Sequence, residues 1–97
     1  MKFGLFGGPR ENAEQRKNSN EPGGYEAYIR RVVEADELGF YSNFCVEHHF
    51  TGMGQASATM NLLSYLAART KRIRLGTAVV VLPWHNQIGR ASCRERV

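Results

Sequence analysis

Between Ile73 and Leu82 the chain reads Ile-Arg-Leu-Gly-Thr-Ala-Val-Val-Val-Leu, and from Ala78 to Leu82 every residue is apolar. A strand with no polar side has no face to offer solvent, so this run predicts a parallel sheet with helices packed over it. Two shorter runs predict its partners. Lys2 to Phe6, closed by Gly7-Gly8-Pro9, reads as a strand ending in a turn, and Phe40 to Val46 reads as a second strand. Between them, Tyr25, Tyr28, Ile29, Val32 and Val33 recur at helical spacing, with Glu26, Arg30 and Glu34 on the opposite face. Gly39 follows Leu38 as a helix stop, since glycine tolerates the left-handed conformation needed there. Leu62, Leu63, Leu66 and Ala67 form the apolar face of a second helix, with Ser57 or Thr59 in position to cap it.

The expected elements are strands near 2–6, 41–46 and 74–81 and helices near 25–38 and 58–69. Arg10 to Gly24 and Thr51 to Ser57 are expected to be loops. The order β-α-β-α-β with right-handed crossovers defines an α/β fold. Three parallel strands and two helices leave two unpaired edges and one bare sheet face, so residues 1–87 are expected to be a truncated part of a larger domain.

Composition excludes more than it selects. With 42% hydrophobic and 23% charged residues the chain is neither disordered nor fibrous. No apolar run approaches the roughly 18 residues needed to span a bilayer, and the apolar start is too short for a signal peptide. Cys45 and Cys93 make neither a disulfide framework nor a zinc site, so a cytoplasmic setting and no metal are expected. Residues 88–97, Ile-Gly-Arg-Ala-Ser-Cys-Arg-Glu-Arg-Val, match the translation of a common sequencing-adapter oligonucleotide and are expected to be a non-native tail. Three arginines against one glutamate there supply half of the net charge of +4, which removes most of the compositional case for nucleic acid.

Ligands of parallel α/β folds bind beyond the carboxyl ends of the strands. Glu47-His48-His49-Phe50 falls there, a carboxylate and two imidazoles suited to proton transfer or to stabilising a developing anion. A hydrogen-bonded histidine beside a buried glutamate, closing the strand end, is the structural alternative. Adjacent strand residues point to opposite faces, which argues against His48 and His49 chelating one metal. Trp84 and His85 end the third strand on the same side, where loop packing is the favoured reading. The basic run Arg69 to Arg74 lies at the opposite end and reads as a solvated turn. The glycines form no dinucleotide-binding G-x-G-x-x-G.

Five segments together resemble the N-terminal part of the bacterial luciferase-like monooxygenase family. They are Met1 to Phe6, Glu34 to Phe40, Glu47 to Thr51, Leu66 to Thr70 and Arg74 to Asn86. The resemblance implies a TIM-type (β/α)₈ barrel, of which this chain holds the first three strands and two helices. It also implies that reduced FMN, supplied by a separate flavin reductase, reacts with O₂ to oxygenate a small organic substrate. His48 would assist that chemistry. A non-prolyl cis peptide at Ala78–Val79 would let the backbone approach the flavin ring, and Phe6 would line the substrate pocket. A homo- or heterodimeric parent, with no nucleic-acid or membrane partner, is expected. A deazaflavin-dependent dehydrogenase of the same superfamily and a non-catalytic flavin-binding or structural subunit are the alternatives. The sequence departs from the family pattern at Gln87, where proline is usual, and at Tyr41 and Phe44, where Asp and Trp are more frequent. The family's phosphate-binding loops and five further strands would come later in the chain.

Overall fold

The computed structural model describes residues 1–10, 24–50 and 56–85. Most of the two expected loops, Asn86, Gln87 and the tail from residue 88 lie outside the described residues. The elements run β1 (Gly4–Gly7), α1 (Gly24–Glu37), β2 (Ser42–Cys45), α2 (Thr59–Arg69), β3 (Arg74–Thr77) and a 3₁₀ turn at Leu82–Trp84. The strands form one parallel sheet in the order β1-β2-β3, with rows Leu5–Asn43–Leu75 and Phe6–Phe44–Gly76 in register. No helix of the described residues is long and apolar enough to cross a membrane.

Side-chain alternation divides the sheet. Leu5, Asn43, Cys45 and Leu75 face the helices, where they join a core of Tyr28, Val32 and Ala35 from α1 and Leu62, Leu63 and Leu66 from α2. Phe6 and Phe44 stand on the other face, 77% and 46% exposed. Among the described residues helices thus cover one side of the sheet, in line with the expected bare face. Asn43 is buried among apolar groups because the phenol of Tyr28 satisfies it: the Asn43 amide donates to Tyr28 Oη at 2.8 Å. Ala67, expected in the core, is exposed and borders a groove with Met60 and Leu75 along β3.

Gly39 ends α1 as predicted. Its φ of +87° lets Phe40 N–H donate back to Ala35 O at 2.9 Å, closing the last turn. The second helix starts differently from the expectation: Ala58 is the N-cap residue, and neither Ser57 nor Thr59 caps it. The Thr59 hydroxyl, fully buried, is shared instead between Val46 O and Ala56 O at 3.3 Å, which ties α2 to the end of β2.

Strand β3 is also shorter than predicted. The ladder stops at Cys45–Thr77, with Ala78 N–H donating to Cys45 O at 2.8 Å as its last bond. Beyond it neither 46–48 nor 78–81 is strand, so the apolar run of 78–81 is left outside the sheet ladder. Every peptide bond among the described residues is trans, including Ala78–Val79, which corrects the expected cis bond. A non-prolyl cis bond costs about 3–4 kcal/mol and needs neighbouring structure to enforce it. Val79 is 57% exposed, so no such neighbour presses on it here.

At the opposite end of the sheet, Asp36 joins α1 to the turn before β3. Its carboxylate accepts the backbone N–H groups of Lys71, Arg72 and Ile73 at 2.8, 2.9 and 2.7 Å. These bonds outweigh burial and hold the carboxyl below its ordinary range. Stability from a depressed carboxyl is present above its unfolded pKa and lost as pH falls through the folded value. Asp36→Asn, measured in the parent protein, is therefore expected to lower the urea midpoint at neutral pH clearly more than Glu37→Gln, its exposed neighbour. The gap should close only below about pH 4, the ordinary aspartate range. Equal midpoints for the two variants at pH 7 would refute this role.

Candidate active site

The carboxyl ends of β2 and β3 are joined through one side chain. Val46 N–H donates to Gly7 O at 3.0 Å, extending the β1–β2 pairing, and the chain then turns so that the Glu47 side chain is fully buried. His49 Nε2 lies 2.6 Å from Glu47 Oε1. His85 Nε2 lies 2.9 Å from Oε1 and 3.0 Å from Oε2, and Val81 N–H donates to Oε2 at 3.2 Å. One carboxylate thus gathers two imidazoles and a backbone amide from two neighbouring strand ends.

Burial by itself would push the Glu47 carboxyl up. Hydrogen bonds from His49, His85 and Val81 more than reverse that and hold it below the ordinary glutamate value. An aromatic lid completes the cluster. The rings of His49 and Trp84 stack at 5.3 Å and 20°, and Phe50 meets Trp84 edge-on at 5.9 Å. Phe50 reaches that position with a φ of +58°, a left-handed conformation unusual for a bulky residue.

The predicted site residues separate into two groups. His48 is exposed and stands outside the carboxylate cluster, its backbone N–H held by Ala56 O at 3.1 Å. His49 takes the place beside a buried glutamate that the structural alternative described. Phe6 lies on the bare sheet face beside Phe44, and Ala78 and Val79 lie just past the end of β3. Gly76 keeps that face flat, since a Cβ there would stand 2.8 Å from the Phe44 ring. Sequence reasoning missed His85, which it assigned to loop packing. The available signal was topological: consecutive parallel strands end side by side, so residues following β2 and β3 can meet. No group of three or more His, Cys, Asp or Glu among the described residues is arranged to hold a metal ion.

A parallel βαβαβ unit with an ionisable cluster at the carboxyl ends of its strands is an α/β arrangement of the kind that opens a TIM-type barrel. The fold matches the oxygenating constituent of 3,6-diketocamphane monooxygenase from Pseudomonas putida, a type II Baeyer-Villiger monooxygenase solved in complex with FMN. The TM-score is 0.70 over 95% of this chain and 24% of that one, at 23% identity. The profile of the luciferase-like monooxygenases matches residues 1–89, and the chain belongs to that family. Over 58 residues it is 40% identical to the alkanal monooxygenase alpha chain of Photobacterium leiognathi, covering 60% of this chain and 16% of the relative. Over 57 residues it is 42% identical to 4-hydroxyprotoasukamycin monooxygenase of Streptomyces nodosus subsp. asukaensis, covering 59% and 15%. Limonene 1,2-monooxygenase of Rhodococcus erythropolis is 32% identical over 84 residues, covering 87% and 21%. The chain therefore spans between 15% and 21% of these relatives' lengths.

Proposed function

We propose that this chain is the N-terminal segment of an FMN-dependent monooxygenase that uses O₂ to oxygenate a small organic substrate, with reduced flavin delivered by a separate reductase. The observation that carries the reading is the Glu47-His48-His49 run at the carboxyl end of β2, next to the exposed apolar wall of Phe6 and Phe44. That wall fits the cofactor: Gly76 leaves it flat, and a planar, largely apolar ring system can lie against it. Phe6, Ala78 and Val79 would contact the flavin or the substrate beside it. When bound, reduced FMN supplies the electrons that activate O₂.

This chain's own residues supply position and protons. His48, exposed at the strand end, is the group free to exchange a proton with a reacting oxygen. With a flavin ring laid against it, the aromatic wall would exclude water from one side of the site. Residues 88–97 take no part in this function. The parent enzyme is cytoplasmic and dimeric in this proposal, with no nucleic acid or membrane involved.

Oxygen uptake by the full-length protein with supplied reduced FMN, compared with substrate oxidation using an oxidised deazaflavin as hydride acceptor, tests the reading. Product formation coupled to O₂ consumption with FMN is the expected result. Substrate oxidation with the deazaflavin and no oxygen consumption would replace it by the dehydrogenase reading.

A further inference from the structure

For neutral imidazoles, the hydrogen bonds among Glu47, His49 and His85 have one chemical solution. An ionised carboxylate only accepts, and all three polar groups around Glu47 meet its oxygens at 2.6–3.2 Å. Val81 contributes a backbone N–H. The remaining contacts are made by Nε2 of His49 and Nε2 of His85, so both must carry their hydrogen on Nε2. A neutral imidazole with Nε2–H has a bare lone pair on Nδ1. Neither Nδ1 has a hydrogen-bond partner among the described residues, and the two side chains are 17% and 24% exposed.

We infer that Glu47 is a positioning residue: it locks His49 and His85 in the Nε2–H tautomer, so that their Nδ1 atoms are presented as proton acceptors at the ligand end of the sheet. The group such an acceptor recognises is a hydrogen-bond donor, a hydroxyl or N–H of a ligand bound there. The ionised state of Glu47, favoured by the same three hydrogen bonds, keeps the lock closed at neutral pH. Trp84, stacked on His49, limits rotation of that ring and preserves its orientation. The role assigned to these acceptors rests on the monooxygenase reading, whereas the lock itself depends only on the cluster.

The test is long-range ¹H–¹⁵N correlation on the ¹⁵N-histidine-labelled full-length protein without flavin, at about pH 8, above the ordinary imidazole pKa of about 6.5. His49→Gln and His85→Gln variants assign the signals. The expected spectrum shows a protonated Nε2 and a bare Nδ1 for both rings, while exposed His48 shows the averaged pattern of free histidine. In Glu47→Leu, which leaves no acceptor oxygen for either ring, both rings should lose the lock. In His85→Gln, His49 should keep it. An Nδ1–H tautomer or an averaged pattern for either ring in the unmodified protein overturns the inference, and so do locked rings that persist in Glu47→Leu. Because no flavin is present, these outcomes are independent of the oxygen-uptake result that decides the monooxygenase reading.

Discussion

In the full-length enzyme, His48→Ala should cut turnover with supplied reduced FMN by about 10²–10⁴-fold, or roughly 3–5 kcal/mol of barrier. Flavin affinity should change by only a few-fold, because the proposed function assigns binding to the apolar wall and to phosphate contacts that the family resemblance puts later in the chain. His48 follows the end of β2, where its side chain is exposed and its backbone is pinned by Ala56 O. A pinned backbone under a free imidazole is what a proton-transferring group needs: fixed origin, accessible nitrogen. Exposure also predicts that the substitution leaves the unfolding midpoint nearly unchanged. His49→Ala should behave in the opposite way. It strips a 2.6 Å partner from a fully buried carboxylate, so it should lower the midpoint as well as perturb activity. Turnover, flavin affinity and thermal midpoint measured side by side for both variants separate the two. Near-normal turnover in His48→Ala would remove His48 from the chemistry.

The 97-residue chain by itself should show no cooperative unfolding and no stoichiometric FMN binding. The covered face of the sheet has a core, but the other face presents Phe6 and Phe44 to water, and Met60, Leu75 and Gly76 border an open groove of about 420 Å³ beside β3. Burying a phenylalanine is worth about 1.5–3 kcal/mol. Leaving several such side chains exposed forgoes a large part of the about 5–15 kcal/mol that stabilises a whole domain. The outer edges of β1 and β3 are unpaired within the three-stranded sheet, which favours association over folding. Near-ultraviolet circular dichroism across a urea titration, with FMN fluorescence quenching as the binding assay, provides the measurement. A sharp sigmoidal transition together with saturable binding at one FMN per chain would show that the segment is self-sufficient.

Much of this architecture was legible from local chemistry. Apolar runs, helical spacing and the Gly39 stop located all three strands and both helices, because each reflects a short-range rule of backbone geometry and burial. The alternation of strand and helix, with the near-continuous apolar run of the third strand, pointed to parallel pairing, because a parallel connection needs a crossover of about a dozen or more residues. The Glu47-His48-His49 cluster was visible for the same reason: its members are consecutive, and its position after a strand fixes the end of the sheet where it lies.

Tertiary structure decided what the cluster does. Glu47 and His85 are 38 residues apart, and only the register of β2 on β3 brings them within 2.9 Å. Strand alternation already sent the two adjacent histidines to opposite faces, but the partners that complete the buried carboxylate cluster depend on where Val81, Trp84 and His85 arrive from β3. The third strand also ends earlier than its composition suggests. Residues 78–81 carry the strongest strand composition in the chain, yet strand structure requires a paired neighbour, and the β2–β3 ladder ends at Cys45–Thr77. Propensity is a property of the segment itself, whereas pairing and proton placement belong to the neighbours that the fold supplies.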